Sequence, residues 1–587
     1  MGDAQFRPGI SRPRMSSGRL PKLERSQRWF VAGIFVVVLV LVITVLVIGH
    51  VNTWEDEVFA VSTGWSMAHL WPQTLSVLGQ FPGTGSPIRF YGPVSFEVAA
   101  WLIQAFGLSA TVWRLACFAG VIITLCGTVG LVRLGGGDRW AQLTAALVIT
   151  FAGATGIFLP GRWDWVSSGL FVGGLLLFLR GVESGGRALC CGAPLAGVLI
   201  GISLASTPRT LTLCLGALIS TVTVAFFFPI PRRRLLGGGS VVVATSALCQ
   251  TLLLLPWHMN SLSWIAMVRR SGRQDGINLT PVAGRGGWDF DIRDHRTVLW
   301  GFALLLVTCL LVGPRRREVG VVHRKRPIRI LLALTAFLNL AVMLALLKQA
   351  FGDVAYWLPI SLAAAMCWLE VPAAERRTTR FSVAGLILAS LSIFAVKELR
   401  TVAAILISWD QHSETRVTAF VRRTVPRGSI VYGPVGGFFF PVELAGDRYL
   451  YPLELTTPGL YSKNPRLTEM KLDETICAHP TYVMWPLLNT LRLAPGLPRV
   501  VITHLGREVG TLEPPPLTAW EKAMLNRIVR DGSGYRSPKV AVYSLRGSVR
   551  CGAPVGSAEA ESRRPHGLKA NGVEKTPQEP QGVARVR

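Results

Sequence analysis

Charged residues are scarce in this sequence, and acidic residues are the scarcer kind. Of 587 residues only 16% are charged, and 34 Asp and Glu stand against 61 Lys and Arg. A soluble domain ordinarily carries about 25% charge. The sequence also lacks a GxGxxG in a βαβ context, a P-loop and a zinc-ligand spacing. These absences argue against a soluble enzyme and against a nucleotide-driven mechanism.

Hydrophobic residues make up 50% of the chain, and they are gathered into runs of about 17 to 23 residues. Runs of that length cross roughly 30 Å of hydrocarbon. We therefore predict a mainly α, polytopic membrane protein with about 11 transmembrane helices. The predicted spans are 29–51, 111–132, 140–160, 164–179, 188–206, 209–230, 237–256, 297–313, 328–347, 354–371 and 381–397.

Basic residues predict the orientation of these spans. The N-terminal residues 1–28 are basic, and the run that follows is too long for a signal peptide and lacks a cleavage site. We therefore predict a retained membrane anchor with residues 1–28 in the cytoplasm. The segment Tyr91–Phe106 is short and carries Glu97 and Gln104, so we predict an interfacial helix. If that segment does not cross the membrane, the basic connections between the spans all face the cytoplasm of an inner (plasma) membrane. The net charge of +27 is thereby explained without a nucleic-acid partner.

The topology predicts a transmembrane domain at 29–397, with exterior loops at 52–110 and 257–296. Residues 398–546 then form a small exterior, periplasmic α/β domain, and residues 547–587 form a disordered tail. Helices are predicted at Glu414–Thr424 and Leu517–Val529. Short strands are predicted at Ser429–Tyr432, Arg448–Tyr451, Thr481–Trp485, Arg499–Thr503 and Lys539–Leu545.

Ten cysteines are scattered along the chain. Eight lie in or beside predicted spans without ligand-like spacing and are most simply small apolar residues. Cys477 and Cys551 both fall on the exterior side of the membrane, where an oxidising compartment would allow a disulfide. Two residues give no framework pattern, so their pairing stays open.

The segment Glu55-Asp56-Glu57 follows the first span. Three consecutive carboxylates at a membrane interface repel one another and resist burial, which suits a general base or a cation-binding group. The alternative is a solvated helix start, where acids lie near the positive end of the helix dipole. The residues alone leave both interpretations open.

Further motifs follow in order: Tyr91-Gly92-Pro93, Phe106-Gly107-Leu108-Ser109, Trp113-Arg114-Leu115 and Gly161-Arg162-Trp163-Asp164. Together with the acidic segment, they make residues 29–210 resemble the GT-C superfamily of membrane glycosyltransferases. The likeness is to the branch with protein O-mannosyltransferases, aminoarabinose transferases and RgtA/B/C/D-like enzymes. Tyr-Gly-Pro replaces the commoner Pro-Pro-Leu-Tyr of that branch. The resemblance implies transfer of a sugar from a polyprenyl-phosphate donor to a lipid, glycan or protein acceptor on the outer face.

The resemblance implies roles for the acidic residues. Asp56 is expected to take the proton of the acceptor hydroxyl, Glu57 to orient the acceptor or a metal, and Asp164 to converge on the same site. For Asp164, the alternative is an interfacial ion pair with Arg162. A leaving phosphate needs guanidinium or ammonium partners. Candidates are Arg89, Arg114, Arg162, Arg209, Arg269, Arg270 and Arg273, the last three with lipid headgroups as the alternative.

Other residues are weaker candidates. Those expected to line the acceptor or donor site are Tyr91, Glu97, His258, Lys348 and Tyr356. No cofactor is certain, but a divalent metal ion could be held by Glu57 and Asp164 or by Asp289 and Asp291. A lipid-linked sugar transporter or flippase, or a non-catalytic scaffold in cell-envelope glycan assembly, remains the alternative function. The acids lie at span ends and the two halves show no repeat, which argues against a transporter.

Overall fold

A computed structural model describes most of the chain. The described residues are 25–50, 55–69, 92–154, 161–207, 209–228, 232–257, 299–307, 319–347, 354–368, 377–411, 413–433, 438–450, 465–488, 492–493, 499–528 and 539–547.

The first part of the described chain is helical. Residues 299–307 are also helical, and short 3₁₀ turns follow the first and ninth helices at Ile48–His50 and Leu255–Trp257. The helices are α1 Arg25–Val47, α2 Glu55–Ala68, α3 Pro93–Phe106, α4 Ala110–Leu134, α5 Arg139–Ala154, α6 Asp164–Ser184, α7 Gly186–Ser206, α8 Thr210–Phe227, α9 Arg232–Leu254, α10 Val319–Leu347, α11 Val354–Trp368 and α12 Arg377–Ile407.

Seven helices of the described chain are long and apolar enough to cross a membrane, and they fall on α1, α4, α6, α7, α8, α9 and α10. Shorter apolar helices lie at α3, at α11 and at Ile387–Val396 within α12. Helix α3 has 14 residues and is therefore about 21 Å long, too short to cross the hydrocarbon upright. Each predicted span contains helical residues. The chain is a multi-pass membrane protein.

Local sequence signals set the helix ends near the candidate site. Pro93 opens α3, where its missing N–H costs nothing. Gly107 ends α3 with a φ of 78°, a conformation that other residues rarely adopt. The Ser109 side chain then accepts a hydrogen bond from the Val112 N–H and caps α4.

Small residues allow the spanning helices to approach closely. A Cβ on Gly120 of α4 would lie 2.4 Å from the Val166 nitrogen of α6. On α7, Gly197 and Gly201 are spaced as in a GxxxG motif, and both face α9 backbone carbonyls. A Cβ on Gly174 of α6 would likewise lie 3.0 Å from the Ala196 carbonyl oxygen of α7, so α4, α6, α7 and α9 form one bundle. Asp164 is the first residue of α6, so the bundle fixes its backbone.

The C-terminal part of the described chain is a small α/β domain. Its helices are α13 Glu414–Thr424, α14 Phe439–Ala445, α15 Pro465–Ala478, α16 Arg499–Thr503 and α17 Ala519–Ile528. Its strands are β1 Ile430–Tyr432, β2 Arg448–Leu450, β3 Thr481–Leu488, β4 Arg492–Leu493, β5 Leu505–Leu512 and β6 Val540–Leu545.

The strands form one sheet in the order β2-β1-β3-β6-β5, with β4 paired to β3. Strand β1 is parallel to β2 and β3, whereas β6 is antiparallel to both of its neighbours. The predicted strand at Arg499–Thr503 is wrong, because these residues form α16. Val501 is buried in the core against Val483 and Leu545, so packing outweighs the strand propensity of a β-branched run. Cys477 forms a disulfide, and Cys551 lies outside the described residues.

An apolar core joins the C-terminal domain to the membrane helices. It includes Val58 and Val61 of α2, Phe96 of α3, Phe439 of α14 and Val542 of β6. The C-terminal domain thus packs against the helix that carries the acidic segment.

Candidate functional site

Glu57 is buried in the first turn of α2 and forms a two-pronged ion pair with Arg114 of α4. Arg114 Nε donates to Glu57 Oε1 at 2.7 Å, and Nη2 donates to Oε2 at 3.0 Å. Both side chains are 1% exposed. Arg114 Nη1 also donates to the carbonyl oxygen of Ile48, at 3.1 Å. Such a pair is stable only when its hydrogen bonds are satisfied, as they are here, and losing one partner would leave a buried charge.

The turn at Gly161 brings the two acidic motifs together. A Cβ on Gly161 would lie 2.6 Å from the Glu57 Cβ, so the Glu57 side chain rests directly on this glycine. Trp113 Nε1 donates to the Gly161 carbonyl oxygen at 2.7 Å, and the Trp113 and Trp163 rings stack at 5.2 Å. Asp164 follows three positions after Gly161. Buried Cys117 of α4 lies within electrostatic reach of Glu57 and Asp164 alike.

Asp164 is buried and is surrounded by three side chains, those of Arg162, Arg209 and Tyr356. Its Oδ2 lies 2.6 Å from Arg162 Nε, and its Oδ1 lies 3.6 Å from Arg209 Nη1. The Tyr356 hydroxyl of α11 donates to Oδ1 at 2.6 Å. The positive end of the α6 dipole adds to this stabilisation of a carboxylate. The Arg162–Asp164 pair considered from the sequence does form, but Arg209 and Tyr356 join it.

Two guanidinium groups therefore face one carboxylate. The side chains of Arg162 and Arg209 are 14% and 23% exposed, so their surfaces are partly accessible. Arg162, Asp164 and Arg209 together carry a net charge of +1. This combination suits an anion more than a cation, and a guanidinium fork matches phosphate geometry.

A buried polar network holds Tyr356 in place. Asn339 Nδ2 of α10 donates to the Tyr356 carbonyl oxygen at 3.1 Å, and the Thr212 hydroxyl of α8 donates to Asn339 Oδ1 at 2.9 Å. The Asp164 cluster is thus supported by α8, α10 and α11. Separately, the Gly92 N–H at the start of α3 donates to the Ser206 carbonyl oxygen of α7 at 2.6 Å.

The first helix of the C-terminal domain begins close to the Glu57–Arg114 pair. Burial raises the pKa of Glu414, with the Arg114 charge lowering it and the Glu57 charge raising it further. Because the charges of Arg114 and Glu57 both act on Glu414, the start of α13 lies within electrostatic range of this ion pair. The sequence had shown no sign of this proximity, because Glu414 lies 300 positions after Arg114.

The other predicted site residues fall into three groups. Asp56 lies in the first turn of α2, but its side chain is outside the described part. Glu97 is exposed on α3. The remaining candidates lie outside the described residues: Arg89, Tyr91, His258, Arg269, Arg270, Arg273, Lys348, Asp289 and Asp291.

Arg114 and Tyr356 differ from expectation in their surroundings. Arg114 was expected at the donor phosphate, but it is 1% exposed and its guanidinium is occupied by Glu57 and Ile48. Tyr356 was expected to line the site, and it instead bonds Asp164 directly. Arg162 and Arg209 are the predicted phosphate ligands that the described structure brings together.

The described carboxylates do not fit a metal ion. Both Glu57 oxygens accept from Arg114, and both Asp164 oxygens face guanidinium groups. Among the described residues, no group of three or more His, Cys, Asp or Glu side chains could hold a metal ion. Asp289 and Asp291, the other pair that could hold a metal, lie outside the described residues, and the reaction proposed below is written without a metal.

These features define a polytopic membrane fold whose charged groups gather where the spanning helices meet a small C-terminal α/β domain. Among solved structures, the chain is similar to ArnT from Cupriavidus metallidurans bound to undecaprenyl phosphate. The TM-score is 0.51 at 12% sequence identity, over 90% of this chain and 100% of that one. The fold is therefore of GT-C type, as the sequence resemblance implied.

A further similar structure is the Archaeoglobus fulgidus oligosaccharyltransferase tethered with an acceptor peptide. Its TM-score is 0.40 at 13% identity, over 78% of this chain and 69% of that one. No family model matches the sequence, and no curated protein matches it.

Proposed function

We propose that this chain is a membrane glycosyltransferase that uses a polyprenyl-phosphate-linked sugar as donor. The observation that carries the proposal is the group formed by Asp164, Arg162 and Arg209, with its net positive charge, beside the buried Glu57–Arg114 pair. The ArnT structure of similar fold contains undecaprenyl phosphate, which supports a polyprenyl phosphate as the lipid class. The acceptor would be a lipid, glycan or protein on the outer face.

In the proposed reaction, the acceptor oxygen forms a bond to the anomeric carbon of the sugar, and the bond from that carbon to the phosphate oxygen breaks. Asp56 takes the proton of the acceptor hydroxyl. The polyprenyl phosphate leaves with the electron pair, and Arg162 and Arg209 stabilise its negative charge. Glu57 is buried against Arg114 and therefore acts on the acceptor only indirectly, by positioning the start of α2 that carries Asp56. Asp164, fixed by Tyr356, orients the acceptor around the reacting carbon.

The experiment is sugar transfer from a labelled polyprenyl-phosphate sugar in membranes that contain the protein, with donor retention measured in parallel. Arg162→Gln and Arg209→Gln should each weaken donor retention about tenfold, because each removes a charge-assisted contact to phosphate. Asp164→Asn should lower transfer more than retention. Arg400→Gln serves as control, because Arg400 is an exposed arginine of α12.

Two outcomes would contradict the proposal. Normal donor retention in both arginine variants would show that Arg162 and Arg209 do not bind the donor phosphate. A wild-type protein that moves the lipid-linked sugar across the bilayer without transferring it would identify a flippase instead.

A further inference from the structure

Helix α2 is tied to the rest of the molecule near both of its ends. Near its start, Glu57 is bound by Arg114. Near its other end, Trp65 Nε1 donates to Glu443 Oε2 at 2.8 Å. Glu443 lies on α14 of the C-terminal domain, 378 positions away from Trp65.

The Glu443 carboxylate is itself fixed within the C-terminal domain. Its Oε1 accepts from the Tyr449 N–H at 2.8 Å, and its side chain is buried at 8% exposure. The Tyr449 ring packs edge-on against Phe439 of α14 at 6.1 Å. Each oxygen of this carboxylate thus has its own donor, one from each domain, so its position is determined by both.

Helix α2 can transmit a displacement from Trp65 to the acidic segment. Trp65 lies eight positions after Glu57, which is about 12 Å of helix. Between them, a Cβ on Gly64 would lie 2.6 Å from the Ala99 Cβ of α3. A short helix packed this closely moves as a unit, because close-packed interiors transmit strain.

We propose that Glu443 is a positioning residue for the acidic segment, acting through Trp65 and α2 on Asp56 and Glu57. The C-terminal domain thereby influences transfer without supplying a reacting group. This inference rests on the proposed function for its effect on catalysis, but its structural part concerns only the position of α2.

The test compares Trp65→Phe, which removes the indole N–H and keeps an aromatic ring, with Glu443→Gln in the full chain. Amide hydrogen exchange over residues 55–61 should be at least fivefold faster in both variants. The kcat of sugar transfer should fall about tenfold. Retention of undecaprenyl phosphate should be unchanged, because Arg162 and Arg209 are not touched. A general folding defect would lower retention as well. Glu521→Gln is the control, since Glu521 caps α17 within the C-terminal domain through Thr518.

The kcat loss of the double variant Trp65→Phe/Glu443→Gln should be smaller than the two single losses combined, because both changes act on the same hydrogen bond. Unchanged exchange in the Trp65→Phe protein would overturn the inference whatever the transfer rates are. Additive losses of kcat would overturn it as well. If the wild-type protein transfers no sugar, the proposed function fails, and the exchange data still decide whether Glu443 positions α2.

Discussion

The Tyr356 hydroxyl donates to Asp164 Oδ1 at 2.6 Å and joins α11 to the first residue of α6 across 192 positions of sequence. Asp164 has two guanidinium neighbours as well, but Arg209 Nη1 lies 3.6 Å from Oδ1, so the Tyr356 hydroxyl is the closer donor to this oxygen. This hydrogen bond therefore fixes the position of Oδ1, and Asn339 and Thr212 hold the tyrosine backbone that supplies it.

Tyr356→Phe should lower sugar transfer by about 10- to 100-fold. A hydrogen bond to a charged group contributes about 1.5 to 3 kcal/mol, and here that energy keeps Asp164 oriented. The measurement is the initial rate of transfer from a labelled polyprenyl-phosphate sugar. Tyr482→Phe, on β3 of the C-terminal sheet, is the matched control and should keep its activity. Wild-type rates in the Tyr356→Phe protein would show that Asp164 needs no such donor.

Asp56→Asn should reduce turnover by about 10² to 10⁴, while donor retention persists. The substitution keeps the shape and nearly the volume of the side chain but removes its proton affinity. Glu55→Gln should have a mild effect, because Glu55 falls outside the acidic pair matched by the resemblance. Single-turnover assays with bound donor separate chemistry from binding. Near wild-type turnover of Asp56→Asn would eliminate Asp56 as the base.

Glu57→Gln should destabilise the fold by about 3 to 5 kcal/mol, because it leaves the buried Arg114 charge without its counterion. The double variant Glu57→Gln/Arg114→Met should be less destabilised than the single one. Thermal unfolding in detergent measures both. Lys539→Met provides the comparison, because Lys539 and Glu513 form an ion pair at 2.5 Å with side chains 29% and 64% exposed. Breaking that exposed pair should cost less than about 1 kcal/mol. Equal losses of stability at the buried and the exposed ion pair would refute the distinction between them.

Stability should depend on pH through Glu443. Burial raises the pKa of this carboxyl to about 7; the Tyr449 N–H, Trp65 and Arg448 lower the pKa, and Asp447 raises it. The ordinary value is 4.5, so between these two pH values the folded protein binds more protons than the unfolded chain. The stability contribution is therefore full below pH 4.5 and is lost as the pH rises to about 7, by roughly 3 kcal/mol in total.

The measurement for this prediction is the unfolding temperature of wild type and Glu443→Gln from pH 5 to pH 8. The amide replaces one of two hydrogen-bond acceptors, so the absolute stability shifts. The difference in unfolding temperature between the two proteins should nevertheless change steadily from pH 5 to pH 8. A Glu521→Gln control should run parallel to the wild type, because Glu521 is exposed and the pKa of its carboxyl is lowered by hydrogen bonds from Thr518. A constant difference between Glu443→Gln and wild type would contradict the pKa assigned to Glu443.

Hydrophobic run length was enough to predict the seven described helices that are long and apolar enough to cross a membrane, because crossing the hydrocarbon imposes a length that the sequence shows directly. The helix Glu414–Thr424 was also predicted with its observed bounds. The strand predicted at Arg499–Thr503 was wrong and β5 at Leu505–Leu512 was missed. Strand β5 contains Gly506 and Gly510 and charged residues, which disfavour a strand locally, and its pairing with β6 outweighs that preference.

Partners within the candidate site were harder to predict than its members. Arg114 was recognised as a candidate, but its pairing with Glu57 depends on how α2 and α4 pack, which no local pattern encodes. Trp65 and Glu443 gave no signal at all, because each acquires its role only when the C-terminal domain packs against α2.

The contact between Gly161 and Glu57 has a consequence for variation among related sequences. A methyl group at position 161 would lie 2.6 Å from the Glu57 Cβ and 2.7 Å from its Cγ. Aspartate has both of these atoms, so a shorter acid at position 57 would not make room for alanine at position 161. Related sequences that keep an acid at position 57 and the same approach of the turn to α2 are therefore expected to keep glycine at position 161.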